Sequence, residues 1–149
     1  MYNLVYVKMN LLDVMSMLGR ERSKEKVIDL IHTNGERCDM ILQYAPQFKD
    51  DLDVVQVALS YDVRSIYYAS ERLKNNEELV FEIVQKSGRT LQYVGMEIRS
   101  NRRVVLAAVR QDGMAIQYAI DTLWNDEEIV AEAIEQTPDV IDWIDSLHE

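Results

Sequence analysis

Apolar residues recur along this chain in doublets. Val54-Val55, Leu79-Val80, Val104-Val105 and Ile129-Val130 are each followed by a second doublet: Ala58-Leu59, Ile83-Val84, Ala108-Val109 and Ala133-Ile134. The i, i+1, i+4, i+5 spacing is the buried stripe of an α-helix. Before each stripe stands Asp51, Asn76, Asn101 or Asp126, whose side-chain oxygen can accept an otherwise unpaired helix N–H. The pattern predicts a helix of roughly ten residues from each cap, here termed helix A. A second set of cap residues, Asp62, Ser87, Asp112 and Thr137, predicts a helix B. Its apolar positions are Ile66/Leu91/Ile116/Ile141, Ala69/Val94/Ala119/Ile144 and Leu73/Ile98/Leu123. Pro138 after Thr137 suits a first helical position, where no N–H is needed.

Both sets of caps advance by 25 residues, and an aromatic column advances with them. Tyr44, Tyr68, Tyr93, Tyr118 and Trp143 lie 24, 25, 25 and 25 residues apart. A constant period of this size marks a repeat architecture, in which each unit buries its apolar face against its neighbours. Helices this short are not stable alone in water, so stacking must supply the stability. The expected fold is all-α: a short α-solenoid of about five helical hairpins of ~25 residues, with an N-terminal cap.

The N-terminal part is irregular. Val27, Ile28 and Ile31 predict an A-like helix capped near Ser23 and stopped at Asn34-Gly35. The B-like segment runs through Met40, Ile41, Leu42 and Tyr44, and Pro46 ends it. Phe48 then aligns with Leu73, Ile98 and Leu123. Residues 1–22 read as a cap over this hairpin, with a short helix from Asn10 to Leu18 stopped by Gly19. The expected organisation is therefore one domain over 1–149: a cap at 1–22, a divergent first repeat at 23–49, and regular repeats with an acidic end at 50–149. Met1, Met9, Met15 and Met17 give the cap an adaptable surface, through which a homo-oligomer is conceivable.

The segment Arg103-Val104-Val105-Leu106-Ala107-Ala108-Val109-Arg110-Gln111-Asp112-Gly113-Met114-Ala115-Ile116-Gln117-Tyr118-Ala119 resembles the V-V-L-A-A-V-x-Q-N-G-x-A-L-x-Y-A core of a tandem repeat known as a domain of unknown function. The resemblance is good from about Asp50 to Ile144 and weaker over 24–49; residues 1–22 depart from it. Asp112 stands where the repeat usually has Asn, and Trp143 replaces the last Tyr. The resemblance implies an array of helical hairpins and carries no activity or catalytic residue.

Composition narrows the function classes. Cys38 is the lone cysteine, and with His32 and His148 it offers no zinc framework. No apolar run approaches the ~20 residues needed to cross a bilayer, and the first residues lack the basic region of a secretory signal. A soluble, cytoplasmic protein is the expectation. The net charge is −10 and unevenly placed. After Arg110 there is no Lys or Arg but eleven of the 26 acids, so the first 110 residues are close to neutral. Such an end disfavours direct nucleic-acid binding.

Three constellations stand out. The Tyr68, Tyr93 and Tyr118 column is either a stacking ladder or packing between repeats. Arg102-Arg103, with Arg99 nearby, opens a helix where cations oppose the macrodipole; it marks an anion-binding or acidic-partner surface, or else ion pairs to Glu77, Glu78, Glu127 or Glu128 one repeat away. Glu132, Glu135, Asp139 and Asp142 form either a docking surface or a solubility cap. No catalytic, cofactor or metal-binding residue is expected, because no nucleotide-binding, metalloprotease or hydrolase motif occurs. The expected function is a non-enzymatic protein-interaction module. The alternative is a small acidic inhibitor or nucleic-acid mimic that fills a basic cleft of a partner. An enzyme with a site at an edge finds less support.

Overall fold

The computed structural model describes residues 18–20, 23–33 and 38–147, the stretch 38–40 by its backbone alone. Among them every regular element is helical, in two compact units, Met1–Ser70 and Glu71–Glu149.

The first unit holds α1 (Lys24–Thr33), α2 (Cys38–Tyr44), α3 (Leu52–Tyr61) and 3-10 segments at Pro46–Phe48 and Val63–Tyr68. Helix α3 packs on α1 and α2, and Val27, Ile31, Leu42, Val54, Val55 and Ala58 are fully buried. Asp51 caps α3 as its sequence position requires, accepting from the N–H groups of Asp53 and Val54 at 3.1 and 3.2 Å. Lys24 binds the carboxylates of Asp51 (3.0 Å) and Asp53, joining the start of α1 to the start of α3. The N–H of Lys26 donates to Ser23 Oγ at 3.4 Å. Helix α2 stops at Tyr44, two residues before Pro46, and Phe48 is buried. Gly19 lies in a turn, and the buried Leu18 accepts Gln47 Nε2–H at 2.9 Å through its carbonyl. The rest of the expected cap with its methionines, and the stop at Asn34-Gly35, lie outside the described residues.

The second unit holds α4 (Glu71–Lys74), α5 (Glu77–Val84), α6 (Met96–Arg99), α7 (Arg102–Gln111), α8 (Glu127–Gln136) and α9 (Val140–Ser146). Between them run 3-10 segments at Gly88–Tyr93, Gly113–Tyr118 and Asp121–Asn125. Helix α7 is flanked by α5 and α8. Asn76, Asn101 and Asp126 cap the three A helices through their side chains. Val80, Val84, Val104, Val105, Ala108, Val109, Ile129 and Ala133 form the buried stripe read from the sequence.

Helix B corrects the sequence reading. In three repeats it is a six-residue 3-10 segment, a two-residue break and a further short helical piece, whereas Cys38–Tyr44 and Val140–Ser146 are α-helical. At the break Ala69, Val94 and Ala119 have ψ of 165°, 169° and 164°, which is extended backbone. The next N–H then pairs outside its own helix. Ser70 donates to Lys49 O at 2.8 Å, Gly95 to Lys74 O at 3.1 Å and Ile120 to Arg99 O at 3.1 Å. Each bond reaches back 21 residues, so the chain gives up helix continuity for a backbone bond between repeats, at no loss of pairing. The caps of helix B are also mixed. Asp62 and Asp112 accept from Arg64 and Met114 N–H at 2.9 and 3.0 Å, but Ser87 makes no side-chain cap bond. Thr137 does not cap the last helix, which begins at Val140; its hydroxyl instead accepts Gly113 N–H at 3.2 Å.

Candidate interaction surface

In α5 and α7 the residue after the first apolar doublet is large and apolar: the half-buried Phe81 and the buried Leu106. With Ala107 they floor a groove of about 590 Å³, bordered by Gln85, Arg102, Arg103, Arg110 and Gln111. Arg103 lies over the Phe81 ring, its guanidinium carbon 4.0 Å from the centroid, a cation–π geometry.

The arginines bind acids of neighbouring repeats. Arg103 reaches back to Glu77 at 2.6 Å. Arg102 reaches forward to Asp126 and Glu128 at 2.7 and 2.6 Å. Arg110 reaches forward to Glu132 at 3.1 Å and Glu128 at 3.6 Å. Arg89 does the same to Asp112 at 2.6 Å. Two of the four ion-pair partners expected of Arg102-Arg103, Glu77 and Glu128, are thus realised, and Asp126 joins them; Glu78 and Glu127 stay exposed. The unfavourable place of two cations in a helix first turn is offset by carboxylates from both sides. All three groove arginines remain about half exposed, so their outward faces can still meet a partner.

The carboxyls of Asp126 and Glu128 push the Arg102 pKa up. In return Arg102, and after it the Ile129 N–H, holds the Asp126 carboxyl below the ordinary carboxylate range. A depressed carboxyl contributes stability that is complete above its unfolded pKa, near ~3.9, and lost as pH falls through the folded value. Asp126→Asn, which keeps a good cap, is therefore expected to be less stable than the parent at neutral pH. The gap, followed by tryptophan emission, is expected to close as pH falls below the ordinary carboxylate range. A pH-independent gap would refute the Arg102–Asp126 coupling.

The other expected residues are dispersed. Arg99 does not line the groove; it is half-buried, and its Nε is buried without a hydrogen-bond partner among the described residues. Tyr68, Tyr93 and Tyr118 close their 3-10 segments, each half-buried, as are Tyr44 and Trp143. Tyr67 meets Tyr68 edge-on at 4.9 Å, and Trp124 meets Trp143 edge-on at 5.4 Å. Glu132 is taken up by Arg110, whereas Glu135, Asp139 and Asp142 are exposed and in no ion pair among the described residues. Sequence reasoning missed Phe81, Leu106 and Arg110. Their signal was present: Arg103, Leu106 and Arg110 follow i, i+3, i+7 on one helix face.

Among the described residues no group of three or more His, Cys, Asp or Glu is placed to hold a metal ion, and no helix is long and apolar enough to cross a membrane. The sequence profile of the family described as Domain of unknown function (DUF4116) matches residues 23–74, 58–99, 76–123 and 101–147. No curated protein and no solved structure matches the chain.

Proposed function

The chain belongs to the DUF4116 family, a domain of unknown function matched repeatedly along residues 23–147, and from that premise we propose that it is a non-enzymatic protein-interaction module built from helical repeats. The observation that carries this reading is the groove between α5 and α7, where an apolar floor of Phe81, Leu106 and Ala107 is bordered by three half-exposed arginines. An apolar floor with a charged rim is the composition of a protein-binding surface. Arginine and aromatic side chains are also the types that carry most interface energy. The test is capture from native lysate with the parent chain and with Leu106→Asp, whose helix content is checked by circular dichroism. Partners retained by the parent at high salt and lost by the folded variant support the groove. Equal capture by both refutes it.

A second reading, an acidic inhibitor or mimic, draws support from Glu135, Asp139 and Asp142, which stand exposed and outside any ion pair among the described residues. It differs in one outcome: its partner leaves as salt rises, because screening weakens attraction between exposed charges.

A further inference from the structure

In α8 and α9, positions whose counterparts in the preceding repeats are buried are half-buried or exposed. Val80 and Val105 are fully buried, but Val130 is half-buried. Val84 and Val109 are fully buried, but Ile134 is half-buried. Leu91 and Ile116 are fully buried, whereas Ile141 is 43% exposed. Ile144 and Leu147, with Trp124 and Asp121, line a cleft of about 360 Å³.

Charge says what fits the edge. From α7 to α8 the side chains reaching forward are basic and those receiving them are acidic, Arg102 to Asp126 and Glu128 and Arg110 to Glu132; from α5 to α7 the order is reversed, Glu77 receiving Arg103. One period on, the positions of Arg102 and Arg110 are Glu127 and Glu135, and the Arg89 position becomes Asp139 two periods on. All three are exposed. The forward face has therefore changed sign. A helix like α1 or α8 is a poor occupant, because two and six places after the cap they carry Glu25 and Asp29, or Glu128 and Glu132, and acid would meet acid. The fit is a cation at that place, as Arg103 of α7 supplies to Glu77, the residue two periods before Glu127.

We propose that this edge docks a cationic amphipathic helix of a partner protein. Its apolar stripe covers Val130, Ile134 and Ile141, and its Lys or Arg side chains pair with Glu127, Glu135 and Asp139. The arrangement is helix-on-helix recognition with a charged border. It rests on the reading of the chain as an interaction module but uses a surface apart from the groove.

The test uses the full chain and two synthetic peptides of equal length. Both carry a leucine stripe at helical spacing; one has lysines beside the stripe, the other glutamates. Trp124 and Trp143, the chain's two tryptophans, meet edge-on, and Trp143 lies two residues after Ile141 on α9, so their emission is the local probe. The lysine peptide is expected to give a saturable change in emission and the glutamate peptide none. Charge reversal by Glu127→Lys with Glu135→Lys is expected to weaken binding about tenfold. Ile141→Ser, which leaves every charge in place, is expected to weaken it comparably. No response to the lysine peptide, an equal response to both peptides, or binding that survives Ile141→Ser overturns the proposal. Groove and edge fail separately: lysate capture with Leu106→Asp speaks only of the groove, tryptophan emission only of the edge.

Discussion

Ile116→Ala is expected to lower the stability of the second unit by ~2–5 kcal/mol, and Ile141→Ala by under about 1 kcal/mol. The two residues occupy one column of the repeat, 25 positions apart. Ile116 has no exposed surface and sits in a 3-10 segment packed against both α7 and α8. Its truncation removes transfer energy and leaves a cavity that two helices must collapse to fill. Ile141 keeps 43% of its surface in water. Denaturant unfolding followed by tryptophan emission is a local probe, because Trp124 Nε1–H donates to the Ile116 carbonyl at 3.1 Å. Equal losses would mean that the last repeat is covered like the inner ones, and the open edge would go with that result. A bound cationic helix, in turn, is expected to raise the cost of Ile141→Ala.

The A helices were legible in the sequence because two signals agree there. The cap residues Asp51, Asn76, Asn101 and Asp126 and the apolar doublets after them point to the same start and the same face, and consistency across levels is what makes a local reading dependable. Helix B offered no such agreement. Its buried positions Ile66, Ala69 and Leu73 are spaced three and four apart, which suits a 3-10 turn and an α-turn alike. What decides between them is the bond from Ser70, Gly95 or Ile120 to a carbonyl 21 residues earlier, and a backbone bond of that reach leaves no mark in side-chain periodicity. The acidic end was visible as composition, but its division was not. Asp112, Asp126, Glu128 and Glu132 are matched by arginines of the repeat before, while Glu127, Glu135 and Asp139 occupy the places where earlier repeats carry those arginines. Pairing needed the stacking order, which only the fold supplies. The groove was half legible: Arg102 and Arg103 stood out by breaking the dipole rule, whereas Phe81 and Leu106 looked like ordinary helix-face residues until stacking placed them side by side.

Gly113→Ala is expected to cost ~1–3 kcal/mol, a large loss for one methyl group. Glycines are usually retained for a positive φ, but neither Gly88 nor Gly113 has one. Both are held by proximity. A Cβ on Gly113 would lie 2.3 Å from the Ala133 carbonyl oxygen and 2.9 Å from Thr137 Oγ1; one on Gly88 would lie 2.2 Å from the Ala108 oxygen. The obstacles are the last-turn carbonyls of α8 and α7, which accept Thr137 and Asp112 N–H at 2.9 and 3.0 Å. Backbone so engaged cannot swing aside as a long side chain can. The substitution must instead push the repeats apart, loosening the Gly113 N–H bond to Thr137 Oγ1 and opening the core around Ala115 and Ile116. Working against this, alanine restricts the unfolded chain and returns ~0.4–1 kcal/mol, which the overlap exceeds. Met114→Ala, at a half-buried neighbour on the same segment, is the control for loss of local contacts without steric overlap. Unfolding monitored at the tryptophans is expected to order the three chains as parent, Met114→Ala, Gly113→Ala. A Gly113→Ala chain as stable as the parent would show that the repeats can part by the width of a methyl group at no cost, and the close approach would then be incidental to the stacking.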